Sequence, residues 1–284
     1  MSEQWFSETL HPNWQQTFKA EKVFHRDNTG LQDLVIFENQ TYGRVMILDG
    51  VIQLTEGDEP AYHEMLVHVP LFGHGAAKRV LIIGGGDGGT LREVLRHQSV
   101  ASATMVEIDP DVVDFSKTHL PALSKGAFDD PRGQVIIADG IEFMKTSPDQ
   151  WDVIIIDSTD PFGPAAGLFT ADFYGDCRAR LGPGGILTLQ GGVPFLQGDE
   201  AKLIHDNLQA AGFAEATFYL TVVPTYAGGF MTLGWASEDA GLKKPDALTD
   251  RVAASGLSFD YYSAEVHEAA FALPPFIRKR AGMA

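Results

Sequence analysis

Acidic side chains follow four successive apolar runs of the sequence, and this arrangement is its strongest chemical signal. The runs "VLII", "TMVEI", "QVIIA" and "DVIIID" lead to Asp87, Glu107, Asp139 and Asp157, and Asp160 follows shortly after the last. One acid after a strand is ordinary turn chemistry. Because ligands of open α/β sheets bind at the carboxyl ends of the strands, acids at four strand ends together predict a binding crevice.

The stretch "GGGDGG", Gly84 to Gly89, lies between a predicted strand and a predicted helix. Such a loop normally attracts an anion, because the start of a helix offers free backbone N–H groups and the positive end of its dipole. The carboxylate of Asp87 repels phosphate instead. Glu107 follows the glycines at roughly the 20-residue spacing at which an acid accepts hydrogen bonds from ribose hydroxyls. The sequence therefore predicts a nucleoside that carries positive charge near Asp87.

From Val80 onward, short apolar runs alternate with helical stretches. This alternation is typical of βαβ units and predicts an α/β fold with a doubly wound sheet of about seven strands, similar to that of methyltransferases. The last two runs, "ATFYLTVV" and "FMTLGW", are joined by "PTYAGG" alone. This connection is too short for a crossover helix, so we expect an antiparallel hairpin at that edge.

A small antiparallel β domain is predicted over residues 1–57, because "LVIFEN" and "YGRVMILDGVIQL" are rich in apolar and β-branched residues. Asp49-Gly50 between two such runs is a strong signal for a two-residue hairpin. A helix over Asp58 to Phe72 then begins a catalytic domain of residues 58–284, with Pro60 in the first turn, where its missing N–H is harmless.

Composition excludes several classes of partner. The chain has 284 residues, and its 21 basic and 38 acidic residues give a net charge of −17. This charge argues against nucleic acid and against an anionic membrane as partners. Cys177 is the one cysteine, which excludes an internal disulfide and fits a reducing compartment. The first residues lack a basic segment followed by an apolar run, so we expect a cytoplasmic protein.

Several longer motifs resemble those of the spermidine synthase family of aminopropyltransferases. They are "IGGGDGGTLRE", "VEID", "DSTDPFGPAAGLFT" and "PTYAGGF", with "LDGVIQLTEGDEPAYHEM" upstream. The resemblance implies transfer of the aminopropyl group of decarboxylated S-adenosylmethionine to putrescine, which gives spermidine and 5′-methylthioadenosine. It also implies that this nucleoside is a co-substrate, that neither a cofactor nor a metal is needed, and that the protein is a homodimer or homotetramer.

The same resemblance assigns residues to two parts of one site. The donor nucleoside is expected to contact Gln32, Gly84, Gly86, Asp87, Glu107, Asp139, Gly140 and Pro164. The amine channel is expected to contain Tyr62, His63, Asp87, Asp157, Ser158, Thr159, Asp160 and Tyr226.

The reaction requires a base, because an alkylamine resembles lysine, with a pKa of about 10.4, and is protonated at neutral pH. We predict that Asp157 is this catalytic base. We expect His63 and Glu64 to hold the far ammonium group of the acceptor. The segment Ser158 to Phe169, rich in Gly, Pro and Ala, is predicted to close over both substrates as a lid.

Other interpretations remain open at the level of sequence. Asp139 alone suits a helix cap, His63 an exposed helix position, and Tyr62 and Tyr226 aromatic packing. A methyltransferase that uses intact S-adenosylmethionine and a nicotinamide-dependent dehydrogenase are both disfavoured by Asp87, which repels a carboxylate or a pyrophosphate. A catalytically silent polyamine-binding protein is disfavoured because it would need neither a base nor a nucleoside site.

Overall fold

The computed structural model describes residues 3–283 and begins with antiparallel strands, as predicted. Two short strands pair with each other, and four longer ones form a sheet in sequential order. The turn at Asp49 and Gly50 has φ values of 48° and 78°, which confirms the predicted hairpin. The division into residues 1–57 and 58–284 stays a prediction. The strands are β1 (Gln4–Ser7), β2 (Thr17–Ala20), β3 (Lys22–Asn28), β4 (Asp33–Asn39), β5 (Gly43–Leu48) and β6 (Val51–Thr55).

The α/β part is built on a seven-stranded sheet, which confirms the predicted fold class. Its strands are β7 (Arg79–Gly84), β8 (Ser102–Glu107), β9 (Gly133–Ile137), β10 (Trp151–Asp157), β11 (Leu181–Gln190), β12 (Glu215–Thr221) and β13 (Met231–Ser237). The order is β12-β13-β11-β10-β7-β8-β9. Pairs from β11 to β9 are parallel, whereas β13 is antiparallel to both β11 and β12. The expected hairpin at one edge is thus confirmed.

Ten α-helices lie within residues 3–283. They are α1 (Glu59–His74), α2 (Gly89–Arg96), α3 (Pro110–His119), α4 (Pro121–Ser124), α5 (Gly140–Thr146), α6 (Ala171–Arg180), α7 (Gly198–Ala210), α8 (Leu248–Ser255), α9 (Ala264–Ala270) and α10 (Pro275–Arg280). Three short 3₁₀ helices cover Ala127–Asp129, Gly163–Phe169 and Ala240–Lys243. Within this described range, each helix is too short or too polar to cross a membrane.

Helix α1 packs against α2 and against strands β10 and β11 of the sheet. It is buried on nearly every side from Ala61 to Gly73, so its position is fixed by packing rather than by one apolar stripe. At its start, Asp58 accepts hydrogen bonds from the hydroxyl groups of Thr55 and Thr225, at 2.6 and 2.7 Å. Asp58 therefore ties the start of α1 to the loop between β12 and β13.

The sheet changes direction between β7 and β10, because the chain passes from β7 to β8 on one side and enters β10 on the other. Gly84 and Asp157 are partners in the register of these two strands. The backbone N–H of Gly85 donates to the carbonyl oxygen of Asp157 at 2.9 Å. The glycine loop and the predicted base therefore meet at the position where ligands of doubly wound sheets bind.

Gly84 is required by this close approach. Its φ is +87°, and a Cβ there would lie 2.1 Å from the carbonyl oxygen of Asp157. Gly126 has a similar φ of +85°, but a Cβ there would meet no atom within 4 Å. Any other residue at either position would have a strained backbone, because both φ values are positive. Only at Gly84 would the added side chain also clash with a neighbouring atom.

We expect Gly84→Ala to destabilise the fold more than Gly126→Ala. The positive φ should cost each variant about 1–2 kcal/mol, and the clash should cost Gly84→Ala at least about 2 kcal/mol more. Urea unfolding of both variants measures the difference. Equal losses would mean that a small shift of the strands relieves the clash.

Candidate active site

A cavity of about 250 Å³ opens at the carboxyl ends of the strands. Its walls come from the N-terminal β strands, from α1 and from the loops after β7, β8, β9 and β10. Every residue predicted for the two parts of the site lines it: Gln32, Tyr62, His63, Gly84, Gly86, Asp87, Glu107, Asp139, Gly140, Asp157, Ser158, Thr159, Asp160, Pro164 and Tyr226. The structure thus brings these residues together, and their individual roles stay predictions.

Asp87 is buried at the bottom of this cavity. Its Oδ1 accepts a hydrogen bond from the backbone N–H of Gly89 at 2.7 Å, which fixes the side chain within the loop. The Nε2 atom of His63 lies 3.4 Å from the same oxygen. Burial raises the pKa of the Asp87 carboxyl, although the charge of His63 opposes this rise. A bound cation would therefore stabilise the ionised form of Asp87.

His63 is buried rather than exposed on its helix, since only 1% of it is accessible. Its Nδ1 lies 2.6 Å from Oε2 of Glu59, which also accepts from the guanidinium group of Arg92 at 2.8 Å. Burial opposes the charge of His63, but the carboxylates of Asp87 and Glu59 outweigh it and raise the pKa of His63 to about 9. His63 therefore stays positively charged at neutral pH and lies between two carboxylates.

Asp157 is held by two hydroxyl groups. Tyr62 donates to its Oδ1 at 2.7 Å, and Thr90 donates to its Oδ2 at 2.6 Å. The first donor comes from α1 and the second from the first turn of α2. Tyr62 was expected in the amine channel, whereas Thr90 was missed, because a threonine in a glycine loop has no distinctive pattern.

The residues expected at the nucleoside come from both parts of the chain. Burial raises the pKa of Glu107 to about 7, even though the backbone N–H of Asp109 donates to it. Gln32, from the loop between β3 and β4, donates to the side chain of Asp109 at 3.1 Å. This bond joins the N-terminal strands to the start of α3, next to the carboxylate expected to hold the ribose.

Asp139 fits both interpretations that the sequence left open. Its Oδ1 accepts from the backbone N–H of Ile141 at 2.7 Å and caps α5. Asp139 also lines the cavity, together with Gly140. Pro164 lies in the 3₁₀ helix of the predicted lid, where it is solvent-exposed and lines the same cavity. Hence one wall of the nucleoside region belongs to a surface segment.

A second, smaller cavity of about 60 Å³ continues the amine side of the first. The two share lining residues, among them Tyr62, Asp160 and Tyr226. Its wall also contains Glu8, which is 5% exposed and which the sequence analysis missed. Burial raises the pKa of both Glu8 and Asp160. A buried acid and a half-buried acid on the walls of this small cavity favour a cationic ligand there.

Side-chain amides hold Asp160 in place. Gln197 donates to its Oδ2 at 3.0 Å and also donates to Glu200 at 3.1 Å. Gln190 donates to the other oxygen of Asp160 at 3.4 Å. Burial, together with the nearby charge of Asp160, raises the pKa of Glu200 to about 8. These amides lie far from Asp160 in sequence, so no local pattern could reveal them.

The expectation that Glu64 binds the far ammonium group is wrong. Its carboxylate accepts hydrogen bonds from the backbone N–H groups of Asp260, Tyr261 and Tyr262, at 2.7 to 2.9 Å. It lines a separate cavity on the other side of α1. A helix places neighbouring residues about 100° apart, so His63 and Glu64 face different directions.

Fold and site together place the chain in the methyltransferase-like α/β class, with an acidic cavity at the carboxyl ends of the strands. The cavity combines Glu107, after β8, with the carboxylates of Asp87 and Asp157 at the switch point of the sheet. Ligand atoms of His63, Asp87 and Asp157 all lie within 4.8 Å of one another, a spacing that a small metal cation could also occupy. The expectation that no metal is needed therefore stays a prediction.

Comparison with known proteins identifies the family. Residues 59–245 match the family model described as "Spermine/spermidine synthase domain", and residues 4–56 match "Spermidine synthase tetramerisation domain". The polyamine aminopropyltransferase of Ruegeria sp. (strain TM1040) is 54% identical over 279 residues, which cover 98% of both chains. That of Sodalis glossinidius is 53% identical and covers 95% of this chain and 94% of its own.

Solved structures agree with this assignment. A spermidine synthase in complex with the transition-state analogue AdoDATO superposes with a TM-score of 0.93, at 39% identity, covering 98% of this chain and 95% of the other. The spermidine synthase of Thermotoga maritima gives a TM-score of 0.90 at 38% identity, covering 99% and 95%. The chain belongs to the spermidine synthase family and is an aminopropyltransferase.

The charge on His63 generates a prediction. Because its pKa of about 9 lies above the 6.5 of an ordinary histidine, the imidazolium stabilises the fold fully below pH 6.5, and this contribution is lost as the pH rises through 9. We expect Asp87→Asn to lower the pKa of His63, since the Asp87 carboxylate supplies the largest favourable charge interaction.

NMR titration measures this pKa, with the His63 signal assigned by its loss in His63→Gln. Asp149→Asn, which removes an exposed carboxylate paired with Arg79, serves as the matched control and should leave the pKa of His63 unchanged. A wild-type His63 that titrates near 6.5 would show that its two carboxylate neighbours do not hold the charge.

Proposed function

We propose that this aminopropyltransferase uses decarboxylated S-adenosylmethionine as donor and putrescine as acceptor, and releases spermidine and 5′-methylthioadenosine. The observation that carries the proposal is the pair of carboxylates formed by buried Asp87 and half-buried Asp157, in a cavity that Glu107 also lines. The donor carries a sulfonium and an ammonium group and has neither a phosphate nor a carboxylate. Its charges therefore complement those of the cavity.

On the donor side, Asp87 selects the decarboxylated nucleoside. The donor's terminal ammonium pairs with Asp87, whereas intact S-adenosylmethionine would place its α-carboxylate near the same group. Two like charges in a partly desolvated cleft cost several kcal/mol. Gln32 and Glu107 hold the ribose or the nearby thioether, and Asp139 and Gly140 bind the adenine edge. Pro164 covers the adenine face.

On the acceptor side, Asp157 receives the proton of the attacking amine. The neutral nitrogen then attacks the carbon next to sulfur in line with the leaving group, so that the N–C bond forms as the C–S bond breaks. The sulfonium takes the bonding electrons and becomes a neutral thioether. Tyr62, Asp160 and Tyr226 direct the amine, and Ser158 and Thr159 complete the wall at the attacking end.

The far ammonium group of putrescine binds in the second cavity, with Glu8 as its counter-charge. His63 stays near the attacking end, where it balances the charges of Asp87 and Glu59. This arrangement replaces the one expected from sequence, because Glu64 already accepts three backbone hydrogen bonds elsewhere. The channel from Asp157 to Glu8 then fixes the preferred length of the acceptor.

Three wider expectations join this proposal. Residues 158–169 act as a lid, which is supported by the exposure of Phe162, at 61%, on a segment that lines the cavity. The protein works as a homodimer or homotetramer through its N-terminal strands, in line with the "tetramerisation domain" model that matches residues 4–56. It is located in the cytoplasm, where the thiol of Cys177 stays reduced.

Product analysis tests the proposed reaction. Purified protein incubated with decarboxylated S-adenosylmethionine and putrescine should yield spermidine and 5′-methylthioadenosine in equal amounts, and intact S-adenosylmethionine should yield neither. Asp157→Asn should lower turnover at least about a hundredfold, as expected for removal of a general base. Binding of both substrates without products would favour the catalytically silent polyamine-binding protein, and methylated products would favour a methyltransferase.

The position of Glu8 predicts how the enzyme measures its acceptor. Putrescine should exceed butylamine in kcat/KM at least about tenfold, because butylamine lacks the second ammonium and a charged hydrogen bond contributes about 1.5–3 kcal/mol. Glu8→Gln should lower kcat/KM for putrescine by a similar factor and leave butylamine nearly unchanged.

Glu21→Gln, which changes an exposed acid of the same N-terminal region, is the matched control. Cadaverine and spermidine complete the panel of acceptors. The role of Glu8 fails if butylamine matches putrescine in the wild-type enzyme, or if Glu8→Gln lowers the rates of both amines equally.

A further inference from the structure

The hydroxyl group of Thr90 makes a contact that the reaction described so far does not use. Thr90 is fully buried in the first turn of α2, and its Oγ1 donates to Oδ2 of Asp157 at 2.6 Å. We propose that Thr90 is a positioning residue for aminopropyl transfer, which holds the carboxylate of Asp157 in the orientation that receives the amine proton. This inference rests on the proposed role of Asp157 as the base.

Two hydrogen bonds fix the orientation of the Asp157 carboxylate, which a single bond would leave free to rotate. The last torsion of an aspartate side chain has broad minima, so a carboxylate held at one oxygen still rotates. Tyr62 holds Oδ1 from α1, and Thr90 holds Oδ2 from α2. Gly85 lies beside the carboxylate, and a Cβ there would be 3.0 Å from Oδ2, so no side chain at position 85 packs against it. The two hydrogen bonds from α1 and α2 therefore set the orientation of the carboxylate.

A threonine inside a helix can satisfy its hydroxyl with a backbone carbonyl one turn earlier. Thr90 lies in the first turn of α2, so no earlier helical turn offers such a carbonyl. Thr90 instead reaches a residue 67 positions away in sequence, on the neighbouring strand. Because β-branching leaves few χ1 rotamers in a helix, the oxygen is already placed toward Asp157 before substrate binds.

The same turn also holds the other carboxylate of the site. Gly89 donates its backbone N–H to Asp87, and the next residue, Thr90, donates its hydroxyl to Asp157. The segment from Asp87 to Thr90 therefore sets the separation between the group that binds the donor ammonium and the group that accepts the proton. In-line displacement depends on this separation, because donor and acceptor must meet at one carbon.

Two substitutions separate the hydroxyl group from the packing of the side chain. Thr90→Val keeps the shape and removes the hydrogen bond, whereas Thr90→Ser keeps the hydroxyl and removes a buried methyl group. We expect Thr90→Val to lower kcat at least about tenfold with the KM of both substrates within about threefold of wild type. Thr90→Ser should retain kcat within about threefold, although it loses packing.

Thr188→Val is the matched control, since Thr188 is equally buried and its hydroxyl bonds Tyr219 and the carbonyl of Gly234, away from both cavities. It should lower the melting temperature and leave kcat unchanged. If Thr90→Val does not fold, Thr90→Ala compared with Thr90→Ser gives the same contrast, because both lack the methyl group and only the serine keeps the hydroxyl.

A double variant tests whether Thr90 acts through Asp157. In the Asp157→Asn background, Thr90→Val should cause little further loss of turnover. Three results would overturn the inference about Thr90 without affecting the proposed function. They are full activity of Thr90→Val, equal losses for Thr90→Val and Thr90→Ser, and a further tenfold loss in the double variant. Near wild-type turnover of Asp157→Asn would instead remove the base itself, and with it this role of Thr90.

Discussion

The close approach of two carboxylates at the junction of β7 and β10, one of them buried and the other half-buried, is the constraint on which the site depends. Asp87 follows one strand and Asp157 ends the other, and the backbone bond from Gly85 to Asp157 keeps the two elements in contact. Desolvation of an ion costs roughly several kcal/mol unless an opposite charge or hydrogen bonds offset this cost. The residues around the two carboxylates meet this requirement: His63 and the backbone N–H of Gly89 stabilise Asp87, and Tyr62 and Thr90 stabilise Asp157.

The stabilisation differs between the two acids, and the difference matches their proposed tasks. Asp87 faces a charged group, His63, and receives one backbone N–H. Asp157 receives only neutral hydroxyl groups in the bonds that define its orientation. A binding group benefits from strong charge pairing, whereas a base must be able to take up a proton without losing a cationic partner.

The positive charge of His63 is stabilised by Glu59, which is in turn held by Arg92. Glu59 lies at its Nδ1, and Arg92 donates two hydrogen bonds to Glu59, at 3.0 and 2.8 Å. Burial opposes the ionised form of Glu59, but His63 and Arg92 outweigh burial and lower its pKa to about 2. The alternation of acidic and basic side chains from Asp87 through His63 and Glu59 to Arg92 stabilises a buried cation beside the site proposed for cationic substrates.

The sequence predicted the fold class, the hairpins and the residues that line the cavity, because each left a local signal. The strands were continuous apolar runs, the turn at Asp49 had a typical dipeptide, and the acids followed strands whose ends must meet. What the sequence could not predict depends on contacts between distant segments. Thr90 donates a hydrogen bond to Asp157, 67 positions away in sequence, and Gln197 donates one to Asp160, 37 positions away. Glu64 was wrongly assigned because its acidic side chain gave no sign of the three N–H groups that it binds.

The proposed roles of Glu8 and Gln32 divide the tasks between the two regions of the chain. The seven-stranded sheet and the loop after β7 supply Asp157 and Asp87. The N-terminal region supplies Gln32, which lines the first cavity, and Glu8, which lines the second. Glu8 is held by the backbone N–H of Ile52 and by the side-chain amide of Gln16, both within those strands or beside them. Under the proposed role of Glu8, a change in the N-terminal region alters the preferred acceptor length without moving Asp87 or Asp157, because the bonds that orient these two carboxylates come from α1 and α2.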